Sequence, residues 1–316
     1  MKYAISISIF LLLSFFVIKF DDAFAPAYLQ KFEQAKPVVT EKTVTVLAVG
    51  DIMPGRFVED LAIRNNDWNY SFASTSDIFS GADVVFGNFE GCMPKEHSKT
   101  PIYGYRFSVR KEMAEAMARA GVNAVTLANN HSGDYGADGY ENTVSSLSVI
   151  GVATVGKHSD YLYERDGIKV RFMGWNDTWA RLSTSTVAES VRAAKKENEF
   201  LIAAVHFGEE YATTSNSRQK EVAHALIDAG ADVVIGHHPH NIQELEEYDG
   251  KPIFYSLGNF VFDQYFSEET QKGMAVKISI EKNNVSYELL PVDLHGSRPS
   301  LARGEESPLF SAGRAK

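Results

Sequence analysis

Three histidines lie within four residues of one another in the segment Gly236-His237-His238-Pro239-His240. The segment directly follows the apolar run 231–235, which is typical of a buried strand in a parallel sheet. In open α/β sheets, the loops at the carboxyl ends of the strands form the ligand crevice. An imidazole pair with the spacing His-x-His can coordinate a metal ion there. His238 and His240 are therefore the first candidate metal ligands.

Side chains that can bind metal also follow four other apolar segments. These residues are Asp51, Asn88, Glu90, Asn130, His131 and His206. Oxygen and imidazole donors without sulfur are the mixture expected for zinc, manganese or iron. Each residue alone has an ordinary explanation, because Asp caps helices, Asn forms turns and a histidine after a strand is often structural. Their recurrence at five strand ends favours a metal site.

Arg56 and Arg106 are candidate substrate-binding cations, and Asn88 is the third candidate substrate-binding residue. A guanidinium group can hold a phosphate or a carboxylate through two parallel hydrogen bonds. A surface ion pair with a nearby acid explains each arginine equally well.

Strands must alternate with helices to place these residues at strand ends. The patterns predict strands over 43–50, 82–86, 122–128, 152–155, 200–205, 233–235 and 252–257, and helices over 56–64, 111–120, 137–150, 187–198 and 218–229. Hairpins are predicted around Asp166-Gly167 and Asn283-Asn284. The combination indicates an α/β fold in which two packed sheets are covered by helices, a four-layer α/β/β/α sandwich.

The amino terminus has the pattern of an export segment, a basic start followed by the apolar run Ala4–Phe20. Ala23-Phe24-Ala25 resembles a cleavage site, but Pro26 disfavours cleavage, so an uncleaved anchor and a cleaved signal both stay open. Either alternative places the remaining chain outside the cytoplasmic membrane. The predicted organisation is a membrane anchor or signal over 1–25, a linker over 26–42, one domain over 43–295 and a polar, frayed tail over 296–316.

Composition narrows the classes of function. A formal net charge of -10 without a long basic tract argues against a nucleic-acid partner. Cys92 is the single cysteine in 316 residues, which excludes an intrachain disulfide and a thiolate cluster.

Six sequence blocks occur in order between about Val44 and Val292. They are 49–53, 87–90, 127–131, 204–208 with Glu210-Tyr211, 236–240 with Gln243, and 255–260. These blocks resemble those of the poly-γ-glutamate capsule biosynthesis (CapA-like) family, a divergent branch of the calcineurin-like metallophosphoesterases. The resemblance implies the metallophosphoesterase fold and one or two divalent ions, Mn, Zn or Fe.

The resemblance also assigns roles to residues. It implies that the metal ligands are Asp51, Asn130, His206, His238 and His240, and that His131 is the acid that protonates the leaving group. Met53 stands where the superfamily has a histidine, and Asn88 stands where it has a bridging aspartate. Glu90 lies two residues further on the same strand face and can replace the missing carboxylate. A thioether cannot replace imidazole for such ions, so one metal position is expected to be weakened, rebuilt or empty.

These features together indicate an extracytoplasmic protein of capsule or poly-γ-glutamate synthesis or export that hydrolyses or binds an anionic phosphoester or glutamyl polymer. Its expected partners are that substrate, the membrane and other capsule synthase subunits. Two alternatives stay open: a non-catalytic accessory subunit of a polymer synthase or exporter, and a generic metal-dependent phosphomonoesterase.

Overall fold

Two β-sheets and six α-helices make up the part of the chain that the computed structural model describes, residues 42–101, 103–157, 159–282 and 284–302. The strands are β1 (Val44–Ile52), β2 (Val84–Phe89), β3 (Ala124–Thr126), β4 (Ala153–Val155), β5 (Tyr161–Arg165), β6 (Ile168–Asn176), β7 (Glu199–His206), β8 (Val233–His237), β9 (Leu245–Tyr248), β10 (Lys251–Phe254), β11 (Asn259–Val261), β12 (Lys272–Ile280), β13 (Val285–Leu294) and β14 (Pro299–Leu301). The helices are α1 (Arg56–Arg64), α2 (Ser76–Phe79), α3 (Lys111–Ala120), α4 (Gly136–Val149), α5 (Thr184–Ala194) and α6 (Ser217–Asp228).

The two sheets each contain a parallel centre. The first sheet has the order β14-β13-β12-β1-β2-β3-β4, with β11 paired to the end of β1. Strands β1 to β4 run parallel to one another, and β12 joins them antiparallel. The second sheet has the order β5-β6-β7-β8-β10-β9, in which β6, β7, β8 and β10 are parallel. Each sheet therefore gathers the carboxyl ends of several strands at one edge.

The layer between the sheets is an apolar core that both sheets share. Alternate residues of β1, Val46 and Ala48, belong to this core together with Ile202 of β7. The rings of Phe86 and Phe172 meet across the two sheets with centroids 5.0 Å apart. Full burial of each such ring contributes about 1.5–3 kcal/mol, so the sheets are held face to face mainly by the hydrophobic effect.

The outer faces of both sheets are covered by helices. The other alternate residues of β1, Leu47 and Val49, pack in a core with residues of α1, α3 and α4. On β7, Leu201 and Ala203 pack in a separate core with residues of α5 and α6. The period-two alternation along the strands thus explains why each sheet has two apolar faces. The predicted four-layer α/β/β/α sandwich is confirmed.

Several predicted boundaries differ from the structure. Helix α5 spans 184–194 rather than 187–198, because Ser183 caps it and accepts a hydrogen bond from the Thr186 backbone N–H at 3.4 Å. The prediction missed the β9–β10 hairpin, in which Asp249 and Gly250 both have positive φ, 50° and 70°. Strand β14 pairs antiparallel with β13, so part of the segment 296–316 belongs to the sheet and is not a frayed tail.

The predicted anchor or signal over 1–25 and almost all of the linker over 26–42 lie outside the described residues. Among the residues that are described, no helix combines the length and the apolar character needed to cross a membrane.

Candidate metal centre

The carboxyl ends of β1, β2, β7 and β8 bring polar residues of both sheets together. Asp51 on β1 lies beside Asn88 on β2 and Asn259 on β11 in the strand register, and His206 on β7 lies beside His237 on β8. The backbone of β1 approaches the loop before β11 so closely that a Cβ on Gly50 would lie 2.0 Å from the Gly258 carbonyl oxygen. Glycine is therefore required immediately before Asp51.

Asp51, Glu90 and His206 form what we call the inner cluster. Each offers one oxygen or nitrogen atom, and these atoms all lie within 4.8 Å of one another. All three side chains are buried. Two carboxylates and an imidazole at this spacing are suited to a divalent metal ion.

Asn88 lies inside this cluster and does not face an open substrate site. Its amide nitrogen donates to Asp51 Oδ1 at 2.8 Å and to Glu90 Oε2 at 3.0 Å. Its own oxygen accepts a hydrogen bond from Asn129 at 2.9 Å. The amide therefore shields two buried carboxylates from each other, a task that an aspartate at this position could not perform.

Glu210, His238 and His240 form what we call the outer cluster, with one potential ligand atom of each again within 4.8 Å of the others. The two histidines are buried, whereas Glu210 is exposed. The backbone is left-handed at both His238 (φ 99°) and His240 (φ 58°), which flank Pro239. Non-glycine residues at such angles each cost about 1–3 kcal/mol, so this loop stores strain at the site.

His240 joins the two clusters. Its Nδ1 lies 3.1 Å from Asp51 Oδ2, and its Nε2 lies 3.7 Å from Glu90 Oε1. The rings of His206 and His238 also approach each other, with centroids 4.7 Å apart. The clusters are thus contiguous, and the arrangement suits one or two ions.

His237 supports Asp51 from within the core. Its ring is completely buried, and Nδ1 lies 3.3 Å from Asp51 Oδ1. Among the described residues it belongs to neither group of potential ligands.

The pKa values of the carboxyl groups respond to burial and to the surrounding imidazoles. Burial raises the pKa of Glu90 to about 7. Burial also acts to raise the pKa of Asp51, but the rings of His237 and His240 outweigh it and hold that pKa well below its usual range.

The histidines divide into two kinds. Burial lowers the pKa of His238 to about 4 and holds that of His206 well below its usual range. Burial acts to lower the pKa of His240 as well, but the charges of Glu90 and Asp51 outweigh it and raise the pKa to about 9. Two neutral imidazoles beside carboxylates that attract positive charge are the electrostatic requirement for holding a divalent cation.

The Asn130–His131 pair lies at the edge of the inner cluster. Asn130 Oδ1 lies 2.8 Å from His206 Nε2. His131 places Nδ1 2.9 Å from Asp134 Oδ2, stacks on Phe107 with centroids 3.8 Å apart, and has Nε2 3.9 Å from Glu90 Oε1. The Asp134 carboxylate favours a proton on Nδ1 and fixes the ring orientation.

The two arginines have other partners. Arg56 forms a two-pronged ion pair with Asp263, and its guanidinium lies over the rings of Phe107 and Phe262 at 4.6 and 5.7 Å. Arg106 is exposed and donates to the Asp134 carbonyl oxygen at 2.9 Å. The structure therefore gives the Arg56 charge an internal partner and leaves Arg106 at the surface.

Sequence reasoning missed three residues of the centre. Glu210 follows the strand end at His206 by four residues, on a loop with no strand pattern. Asn259 places Oδ1 3.1 Å from His240 Nδ1, and Asn129 donates to Asn88 and to the Phe89 carbonyl oxygen. The six sequence blocks contain these glutamate, asparagine and histidine residues. Only the tertiary structure shows which of their side chains contact one another.

Buried polar atoms that lack hydrogen-bond partners indicate that the residues of the two clusters fit a divalent ion. Glu90 Oε1 and His238 Nδ1 are buried without a hydrogen-bond partner among the described residues. Leaving such groups unpaired costs about 1–3 kcal/mol each, and a coordinated cation would satisfy them. Met53 is buried in the apolar core beside α1, and its sulfur accepts a hydrogen bond from the Gly55 N–H at 3.3 Å. The residue that stands where a histidine was expected therefore packs in the apolar core.

Comparison with known proteins places the chain among capsule synthesis proteins. A family model described as bacterial capsule synthesis protein PGA_cap matches residues 45–264. The chain is 31% identical over 275 residues to the PGA biosynthesis protein CapA of Bacillus subtilis (strain 168), covering 80% of this chain and 72% of that protein. It is 30% identical over 305 residues to the capsule biosynthesis protein CapA of Bacillus anthracis, covering 87% and 74%.

Similarity to a solved structure extends the comparison to the fold. A crystal structure of a phosphatase from Mycoplasma pneumoniae aligns with a TM-score of 0.51 at 13% identity, over 83% of this chain and 96% of that one. Together these matches confirm the resemblance indicated by the six sequence blocks. The chain belongs to the bacterial capsule synthesis family PGA_cap and has the metallophosphoesterase fold.

Proposed function

We propose that this protein holds one or two divalent ions, Mn, Zn or Fe, and uses them on an anionic substrate in capsule or poly-γ-glutamate synthesis or export. The substrate is a phosphoester or a glutamyl polymer. The observation that carries the proposal is the contiguity of the inner and outer clusters, which gather carboxylates and imidazoles from both sheets around unsatisfied buried atoms.

The roles of individual residues follow from their positions. Asp51, Glu90, His206, His238 and His240 would hold the metal, with Asn130 at the edge beside His206. A bound divalent ion would supply Lewis-acid stabilisation of negative charge that develops on the substrate.

His131 is the residue proposed to move a proton. Asp134 holds its Nδ1, so that Nε2 is directed toward the centre and can carry a proton to a leaving group. Asp134 acts as a positioning residue, because its carboxylate contacts the His131 ring and accepts a hydrogen bond from the Phe107 backbone N–H at 2.6 Å. Arg106 stays the candidate for contact with the substrate, because Arg56 is already paired with Asp263.

The deciding experiment measures metal content and hydrolysis on the same purified protein. We expect the wild type to retain a divalent ion after dialysis and to hydrolyse a simple phosphoester or release products from a glutamyl polymer only in the presence of metal. His238→Ala should lose metal and turnover together. A wild-type protein that retains no more metal than His238→Ala would contradict the proposal.

Asp134→Asn separates the proton-transfer step from metal binding. We expect its metal content to equal that of the wild type, while turnover falls about 10²-fold, the lower end of the roughly 10²–10⁴-fold contribution of general acid catalysis. Arg110→Ala is a control, because Arg110 pairs with Glu59 outside the centre. Equal turnover in Asp134→Asn and the wild type would exclude the assigned role of His131.

A second candidate function is that of a non-catalytic accessory subunit of a polymer synthase or exporter. Met53 in the core and the Asn88 amide between two carboxylates favour it, because both depart from the pattern of the two-metal enzymes. In cells, deletion would then abolish polymer production, while Asp51→Ala and His131→Ala would leave it unchanged. Loss of polymer in both variants would favour the enzyme.

The proposed location is the outer face of the cell membrane, anchored by residues 1–25, or the exterior if that segment is cleaved. The apolar run that follows a basic start supports it. Protease treatment of intact cells should digest the domain, whereas a protected domain would contradict this location.

A further inference from the structure

A cavity of about 730 Å³ lies next to the metal centre. Asn129 and Ser132 line it, while the two residues between them, Asn130 and His131, contact His206 and Glu90 of the inner cluster. Asn176, which lies beside His206 in the strand register, lines the cavity from the second sheet. One loop of the chain thus separates the cavity from the centre.

Two charged side chains, those of Lys157 and Asp160, line this cavity. The Lys157 side chain is exposed and makes no ion pair within the described part of the chain. Asp160 also lines the cavity, but its carboxylate is paired with Arg171. One unpaired ammonium group can balance the charge of one carboxylate. A phosphate dianion, in contrast, is usually bound by several hydrogen-bond donors.

The remaining walls suit a chain of methylene groups and amides. Met173, Trp175 and Tyr140 supply apolar surface. Asn176 uses its side-chain oxygen to accept from Thr178, at 3.0 Å from the backbone N and 2.7 Å from the hydroxyl. Its amide nitrogen has no partner among the residues described, so it can donate to a carbonyl group of a ligand.

A firmly held loop extends this surface. Asp177 is buried, accepts from the Leu182 backbone N–H at 2.6 Å and pairs with Arg218 through two bonds of 2.8 Å. Leu182 lines the cavity, and the same loop carries Trp179, which is 81% exposed, and the exposed Arg181. Arg181 makes no ion pair with any described residue, so a second cation lies one residue from the cavity lining.

We propose that this cavity binds one unit of a glutamyl oligomer, with its carboxylate at Lys157 and its methylene groups against Met173 and Trp175. The carboxylate of a neighbouring unit meets Arg181. The inference rests on the proposed function, because it selects the glutamyl polymer as the substrate that the metal centre serves. The loop 129–132 then sets the distance between the bound unit and the metal centre.

Calorimetric titration with a synthetic γ-linked glutamyl tetramer tests this assignment on the manganese-loaded protein at fixed ionic strength. We expect the wild type to bind the tetramer and Lys157→Met to bind at least about tenfold more weakly, because a hydrogen bond to a charged group is lost. Lys282→Met is the matched control, because Lys282 is exposed in the β12–β13 turn, at the opposite end of β1 from Asp51. It should bind as the wild type does.

Ala137→Trp tests the cavity by filling it. Ala137 is exposed and lines the cavity, so a larger side chain there can occupy the space without disturbing the core. We expect loss of tetramer binding with an unchanged metal content. Equal effects of Lys157→Met and Lys282→Met, or full binding by Ala137→Trp, would overturn the assignment.

The metal content of every sample separates this inference from the proposed function. A wild type that retains manganese but does not bind the tetramer would overturn the cavity assignment alone. A wild type that binds the tetramer but retains no metal would support the cavity and contradict the proposed function. Inorganic phosphate that competes with the tetramer in a Lys157-dependent manner would show a general anion site and overturn the assignment to a glutamyl chain.

Discussion

The inner and outer clusters use the same kinds of side chain but differ in how the fold holds them. Asp51, Glu90 and His206 stand at or directly after the ends of β1, β2 and β7 and are buried. Glu210 stands on an exposed loop, and His238 and His240 stand on a strained one. The inner cluster therefore exists as soon as the sheets pack, whereas the outer cluster also requires two loops to adopt particular conformations.

This contrast also divides the donors between the sheets. The first sheet supplies the two carboxylates of the inner cluster and the Asn88 amide that bonds to them. The second sheet supplies the imidazole of His206 and is followed by the loops that carry the outer cluster. Neither sheet alone provides a complete set of ligands. The apolar layer between the sheets, which includes Phe86 and Phe172, consequently aligns the centre as well as stabilising the fold.

The largest expected effect is that of His206→Ala. The substitution removes the one imidazole of the inner cluster, so that only the carboxylates of Asp51 and Glu90 remain in it. We expect metal affinity to fall by more than the roughly 10–100-fold that loss of an outer-shell partner costs. Elemental analysis after dialysis against a weak chelator measures this change.

His224→Ala is the matched control for that variant. His224 stacks on Tyr248 with ring centroids 3.8 Å apart and pairs with Glu246, away from both clusters. Its metal content should equal that of the wild type. Equal retention of metal in His206→Ala and His224→Ala would show that the inner cluster does not hold the ion.

Asn88→Asp is expected to have the next largest effect, and its sign depends on metal. Without metal, the variant exchanges an N–H donor for a third carboxylate beside Asp51 and Glu90, which should lower the free energy of unfolding by about 1–3 kcal/mol. With metal, the added carboxylate would offer a further oxygen donor to the ion. Thermal denaturation with and without manganese should therefore show a larger metal-induced rise in Tm for the variant than for the wild type.

If manganese raised the Tm of Asn88→Asp and of the wild type equally, the Asn88 amide would not shield the carboxylates of Asp51 and Glu90 from each other. Asn65→Asp is a suitable control, because Asn65 is exposed at the end of α1 and donates to the Leu61 carbonyl oxygen. Its Tm should respond to manganese as that of the wild type does.

The sequence predicted the inner cluster better than the outer one for a physical reason. Asp51 and His206 each lie at the end of an apolar run. A buried parallel strand places its last residue where the carboxyl ends of the neighbouring strands also lie, and this position does not depend on the loops. Glu210 lies beyond the strand on a loop, where its direction is set by contacts such as that between the Tyr211 N–H and the Pro239 carbonyl oxygen, 2.8 Å apart.

Long-range pairing also explains the missed elements and partners. The β9 strand is only partly buried and contains adjacent glutamates, so it lacks the apolar run that reveals central strands. The partner of Arg56 is Asp263, 207 residues away in the chain. Local patterns therefore predicted the layers and the helices, while contacts between distant segments determined which charges are neutralised.

Glu210→Gln is expected to have the smallest effect and to distinguish the two clusters most directly. The substitution keeps the size of the side chain but removes the charge of the one exposed potential ligand, while His238 and His240 stay in place. An exposed carboxylate is solvated by water and contributes little to ion pairing, about 0–1 kcal/mol, so metal affinity should fall by less than about tenfold. Metal titration of Glu210→Gln beside the neighbouring Glu209→Gln, also exposed, measures the difference. A loss as large as that of His206→Ala would mean that the outer cluster, rather than the inner one, holds the tightly bound ion.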